Sequence, residues 1–242
     1  MLDFIKADVH RVTRKKSMIV MTALVLVIYA ATLIIMLKVV NASAEGIDLV
    51  STLLRDAAVL LIGTPLFTAV FTDSFNSKST QAVIGFGTSR RRLVVSRYCE
   101  YLVILALAFL AISLLSLVLF AVTGCISISG PLFKELWKGF LIAAMCVNVA
   151  IIFVYGAQNP TLGLVVFICL VANVFDLLLT GLSFLPFFAD HSIDLSLILP
   201  SNLLYQAFQN GKPVFFLYAL LGYIVLPLII SIKTFEKKEL EF

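Results

Sequence analysis

The sequence predicts an all-α protein built into a membrane. Three observations carry this: six long apolar stretches, hydrophobic residues at 61% of the 242 positions, and charge gathered almost wholly between those stretches. A bilayer core about 30 Å thick takes roughly 20 helical residues to cross, and Met18 to Leu37 supplies such a run with Thr22 and Thr32 as its polar interruptions. The longest polar segments, residues 1–17, 73–97 and 233–242, are too short to bury a core of their own. A soluble catalytic module is therefore excluded, and residues 1–242 are expected to form one transmembrane domain.

The expected spans cover residues 18–40, 57–72, 99–123, 139–158, 162–188 and 213–232. Before the first, Leu2, Ile5, Val9 and Val12 recur at helical spacing among Lys6, Arg11, Arg14, Lys15 and Lys16, which predicts an amphipathic helix over residues 1–17 lying on the inner leaflet. That helix reads either as topogenic charge attracted to anionic lipid or as a docking surface for a cytoplasmic partner. Ala42-Ser43-Ala44 has the form of a signal-peptidase site, but the apolar run before it is longer than a secretory core, so the first helix is expected to be retained.

The second span carries Arg55 and Asp56 at its outer end and contains Pro65; it is expected to start near Val50 and to bend at the proline. At the inner edge of the third, Arg97 and Glu100 stand at i, i+3, which reads as an interfacial ion pair worth under about 1 kcal/mol. Trp137, flanked by Lys134 and Lys138, reads as an interfacial belt residue with snorkelling ammonium groups ahead of the fourth span. Gln158-Asn159-Pro160-Thr161 joins the fourth to the fifth without charge. Residues 187–212, too short to cross, are expected to form an outer hairpin at the interface through Leu203-Leu204-Tyr205-Gln206-Ala207-Phe208.

Orientation follows from the basic residues. With both termini inside, 13 of the 18 Lys and Arg face the cytoplasm, and Lys38, Arg55, Lys134, Lys138 and Lys212 are the five left outside. The net charge of +4 is thus a matter of topology and gives no reason to expect nucleic acid. The four cysteines, Cys99, Cys125, Cys146 and Cys169, are scattered singly and read as packing residues. No metal site is expected: His191 with Asp190 and Asp194 offers one imidazole, and His10 belongs to the opposite side.

Within the fifth span, Asn173, Asp176 and Thr180 fall at i, i+3 and i+7 and so share one helix face. Asp176 is the only acid deep inside an apolar run. A charge at mid-membrane costs roughly 2.5 to 3.5 kcal/mol on insertion scales, so it must face protein or a wet cavity, or be protonated. Three roles stay open for it: a partner for another helix, a translocation-path residue, and a proton-coupling group.

The most informative soluble stretch is the connection from Asp73 to Arg92. It combines a polar turn, a short apolar helix and a basic cluster, with Gly85 and Gly87 to punctuate the turn, Ser89 to cap the next helix, and Arg90, Arg91 and Arg92 to meet phosphates or carboxylates. A Gly-x-x-x-x-Gly-Lys-Ser/Thr loop occurs nowhere in the chain.

With Gly85-Phe86-Gly87-Thr88-Ser89-Arg90-Arg91-Arg92-Leu93, the basic amphipathic N-terminus, the outer hairpin and the Lys233-Thr234-Phe235-Glu236-Lys237-Lys238 tail, the chain resembles the six-span permease subunits of type-2 ABC exporters over nearly its whole length. The resemblance implies a transport subunit of a bacterial cytoplasmic membrane, not an enzyme. It would pair with a second permease copy or homologue and sit on cytoplasmic ATP-binding subunits, which would hold ATP and Mg. It also implies that Lys78, Gln81, Ile84, Gly85, Phe86, Arg90, Arg91 and Arg92 form the coupling surface to the ATPase, and that the cargo is amphipathic or hydrophobic, such as an antimicrobial peptide. The rival readings are an ion-coupled secondary transporter using Asp176 and a non-transporting immunity or sensor subunit.

Overall fold

The structure, a computed structural model, describes residues 14, 16–39, 44–76, 79–123, 129–183, 195–208 and 211–237. The expected interfacial helix over residues 1–17, Cys125, His10, Asp190, His191 and Asp194 lie wholly or almost wholly outside them. Backbone contacts divide the chain after Leu141 into two compact units.

In the first unit, α1 (Lys16–Val39) and α2 (Ala44–Phe67) are apolar helices that pack on one another and on the long α5 (Arg90–Thr123). Tyr29, Leu33, Leu66, Phe67, Leu105 and Ile112 are fully buried there, and the Ser116 and Tyr29 hydroxyls hydrogen-bond at 3.2 Å between α1 and α5. Pro65 is tolerated inside α2, but its ring has no N–H to give the helix. Immediately after it, Thr68–Thr72 widens into a π-helical turn in which the Asp73 N–H reaches the Thr68 carbonyl. The second helix thus begins earlier than expected, and its irregularity is this turn beyond the proline. Two short helices follow, α3 (Asp73–Asn76) and α4 (Ser79–Gly85). The basic cluster expected in a loop over residues 73–97 belongs largely to a helix, because α5 already starts at Arg90.

Helix α6 (Ser129–Gly156) begins in the first unit and runs into the second. There, α7 (Pro160–Val171) starts with Pro160 at its first position and with Asn159 as N-cap, its side-chain oxygen accepting from the Leu162 N–H at 3.0 Å. Then α8 (Val174–Ser183) follows a 63° bend. After a 3₁₀ turn over Leu195–Ile198 come α9 (Pro200–Phe208), α10 (Pro213–Leu220), a π-helical turn over Leu221–Val225, and α11 (Leu226–Lys237). Helix α9 packs on α10, and Tyr155 meets Phe235 at 4.9 Å between ring centroids.

No strand occurs among the described residues. Among the described residues, four stretches are long and apolar enough to cross a membrane, Ser51–Phe75, Arg90–Val122, Gly130–Gly156 and Pro213–Lys237, or five if the bent pair α7–α8 counts as one span. The all-helical class and the multi-pass membrane character read from the sequence are borne out to that extent. Helix α1 adds an apolar segment over Thr22–Ile35.

Candidate functional site

The segment between α2 and α5 is built to present a tip. The Ser74 Oγ donates to the Val70 carbonyl at 2.7 Å and the Thr80 Oγ1 donates to the Ser74 carbonyl at 3.3 Å, so buried hydroxyls tie α3 and α4 to the π turn. After α4, the Gly87 N–H donates to the Ile84 carbonyl at 2.9 Å and the Thr88 N–H to the Val83 carbonyl at 3.3 Å. This tight turn puts Gly87 at φ +89°, a region that side chains rarely adopt and glycine takes freely. At the apex Phe86 is 91% exposed, the informative case of a large apolar ring left in the open. Arg91 and Arg92 are exposed in the first turn of α5, Arg90 and Ile84 are half-buried, and Gly85 is exposed. Gln81 lies on α4 with its side chain outside the described residues, and Lys78 is outside them altogether.

Behind the tip the sequence reading of Arg97 and Glu100 needs correction. They pair at 2.8 Å, but they are 3% and 0% exposed, so this is no surface pair. The physical reason is that α5 is helical from Arg90 onward and the π turn packs against it, Phe71 meeting Tyr101 at 6.0 Å. Residues 97 and 100 are thereby enclosed by protein.

The fifth span is also corrected. Asn173 sits at φ +55° in a break, with the Ala172 N–H donating back to the Ile168 carbonyl at 2.8 Å and its own N–H to the Leu170 carbonyl at 3.3 Å. Asn173, Asp176 and Thr180 therefore do not line one continuous helix: Asn173 makes the bend, Asp176 lies in the first turn of α8, and Thr180 is exposed further along it. Asp176 Oδ1 accepts from Asn202 Nδ2 of α9 at 2.9 Å, and the same amide nitrogen donates to the Ser196 carbonyl at 2.8 Å. Sequence reasoning missed Asn202, because nothing in the local pattern joins residues 26 positions apart.

A third polar constellation was missed entirely. Arg55 Nη1 pairs with Glu135 Oε2 at 2.9 Å, and Arg55 Nε pairs with Asp56 Oδ1 at 2.9 Å, while Lys138 also pairs with Glu135. Lys138 is 4% exposed, so it does not snorkel as expected; one turn of α6 carries it inward beside Glu135. Trp137, on the other face, is 60% exposed and stacks on Phe140 at 5.3 Å, in keeping with a lipid-facing ring. The available signal was the charge itself: Arg55 and Asp56 beside the second apolar run and Lys134, Glu135 and Lys138 beside the fourth must find partners or remain unpaired in a poor solvent.

Between α1, α2 and α5 lies a small half-open recess of about 50 Å³, walled by Val25, Leu61, Ile62, Pro65, Ile104 and Ala108 among others. No group of three or more His, Cys, Asp or Glu residues that could hold a metal occurs among the described residues. Compared with known protein families and with curated proteins, the chain matches none.

Proposed function

We propose that this chain is the membrane-spanning permease subunit of an ATP-driven exporter of the type-2 ABC class, with six spans and both termini in the cytoplasm of a bacterial inner membrane. The observation that carries the reading is the tip: a fully presented Phe86 on a glycine-bounded turn, followed by exposed Arg91 and Arg92, at the end of a helix continuous with a candidate span. An exposed apolar ring followed within a few residues by exposed guanidinium groups suits an apolar pocket with an acidic rim on a soluble partner. In this reading ATP and Mg bind the partner, whose closure pushes on α3 and α4, and the π turn passes the push into α2. Two permease copies together carry an amphipathic or hydrophobic cargo outward, an antimicrobial peptide being one such cargo.

The test is capture of cytoplasmic ATPase subunits with the purified wild-type chain, compared with the triple variant Arg90→Glu, Arg91→Glu, Arg92→Glu and with Phe86→Ser. Capture by the wild type and its loss in both variants is the expected result. No ATPase on the wild-type chain, under conditions that preserve membrane complexes, would sink the proposal.

The break at Asn173 and the half-buried Asp176 favour a second reading, an ion-coupled transporter, since interrupted helices near mid-span serve as ion sites in such proteins. Transport by vesicles holding this chain alone, driven by an ion gradient without ATP, would establish it over the exporter.

A further inference from the structure

Helices α9 and α10 run antiparallel, and three contacts fix their register. Beside the turn, the Lys212 N–H donates to the Gln206 carbonyl at 3.3 Å and Phe208 meets Phe216 at 5.8 Å between ring centroids. At the far end the Tyr223 hydroxyl donates to the Ile198 carbonyl at 2.7 Å. Tyr223 belongs to the candidate span Pro213–Lys237 and stands ten residues beyond its start, roughly 15 Å along an axis of about 37 Å. Its ring leans back toward the start of the span, as helix side chains do, but α9 supplies the same depth independently. Nine residues long, α9 covers about 13 Å between Phe208 and Pro200.

The chemistry of residues 195–211 suits that depth. No charged residue occurs from Leu195 to Gly211, and Lys212 is the first beyond them. The large exposed side chains are Ile198, Tyr205 and Phe208, with Ile198, the deepest, at 58%. The backbone of the deep end is tied off by protein. The Ser196 carbonyl accepts from the Leu199 N–H at 3.1 Å and from Asn202 Nδ2 at 2.8 Å, and the Leu195 N–H donates to Ser183 Oγ at 3.3 Å. With the Tyr223 bond to Ile198, side chains of three elements satisfy one short 3₁₀ turn. Water would serve such a turn at the surface, whereas in hydrocarbon each backbone polar group needs a partner within the protein. Asn202 Nδ2 also donates to Asp176 Oδ1 at 2.9 Å, which ties the turn to the first turn of α8.

We propose that residues 195–208 form a re-entrant limb, dipping into the bilayer from the Lys212 end to near its middle, with its tip pinned by Tyr223 and by the Asn202–Asp176 pair. The limb does not lie along the interface as the sequence suggests, and Asp176 acts in it as a positioning residue. This goes beyond the exporter reading and stands independently of it.

The experiment uses the full chain in nanodiscs, with Trp137→Phe removing the one native indole and a single indole returned at Ile198 or at Phe208, both exposed. Ile198→Trp should be quenched most by lipid brominated near the chain ends, and Phe208→Trp by lipid brominated near the headgroups. Dissolved iodide should quench Phe208→Trp far more than Ile198→Trp. If both indoles answer to the same shallow bromines, or iodide reaches both alike, residues 195–208 lie along the surface and the proposal fails. The pins are read in the Ile198→Trp background. Tyr223→Phe and Asn202→Ala should each raise iodide quenching there about threefold, the shift that loss of one hydrogen bond within a membrane gives, while Phe208→Trp is unaffected. Tyr223→Phe keeps its ring in place and decides the matter if Asn202→Ala misfolds. Quenching unchanged by Tyr223→Phe would overturn the pinning.

Discussion

Gly139 of α6 lies directly against the stem of Arg55 on α2: a Cβ built on the glycine would come within 2.8 Å of Arg55 Cγ and 3.1 Å of Val59 Cγ2. The absence of a side chain at residue 139 is what lets the guanidinium pass across α6 to reach Glu135. Small residues serve in this way wherever membrane helices pack closely. Gly139→Ala should push Arg55 off Glu135 and destabilise the protein by about 1–3 kcal/mol, the usual cost of overpacking. A thermal unfolding curve of the purified chain in detergent checks this; an unchanged midpoint would show that the helices part freely.

Glu135 is shared by Arg55 and Lys138, so its loss strands Lys138 and leaves Arg55 with Asp56 alone. Glu135→Leu should cost about 3–5 kcal/mol, as removing one side of a buried pair does, and adding Lys138→Met should recover part of it. The same unfolding measurement on the single and double variants reads the coupling.

The same logic applies to Arg97 and Glu100. Either Arg97→Met or Glu100→Leu alone leaves a charge enclosed by protein, whereas the double variant leaves none. The double variant should be more stable than either single one. Equal losses that simply add would show that the two side chains do not depend on one another.

Asn148 is 0% exposed, and neither its Nδ2 nor its Oδ1 has a hydrogen-bond partner among the described residues. Asn148→Leu, close in volume, should therefore stabilise the protein by about 1–3 kcal/mol, the desolvation penalty it removes. A lowered unfolding midpoint would mean that the amide is bonded after all.

At Asn173 the φ of +55° predicts a residue-specific response. Gly should be tolerated there, while Val should cost about 1–2 kcal/mol because a β-branched side chain crowds the left-handed backbone. If Val is as well accepted as Gly, the bend is not held at that residue.

How much was legible follows from which forces act locally. The apolar helices and the glycine-bounded turn at Phe86 could be read directly, since hydropathy and backbone freedom are written within a few residues, whereas the cap at Asn159-Pro160 that starts α7 two residues before the expected 162 reads in the sequence only as an uncharged join. The break at Asn173 could not: the surrounding run is uniformly apolar, and Asn is no strong breaker without the tertiary contact of Asp176 with Asn202. Arg97, Glu100 and Lys138 were misread for one common reason. Each is charged near a span end, where exposure is the ordinary expectation, and only packing against another helix encloses it. The network of Arg55 and Glu135 needs residues 80 positions apart to meet, which no local spacing encodes.

The π-helical turn at Thr68–Thr72 gives α2 a phase slip. Such a turn accommodates one residue more than an α-helical turn, so the side chains beyond it are rotated by roughly 100° relative to those before it. The lipid-facing stripe of this span is consequently two stripes joined at an angle. Solvent- or lipid-accessibility scanning along residues 51–75 should trace one helical wheel up to Phe67 and a second, offset wheel from Asp73. Deleting a single residue from the turn would merge the two, turning α3 and everything anchored to it to a new bearing, at the cost of the Phe67–Phe71 ring contact at the junction.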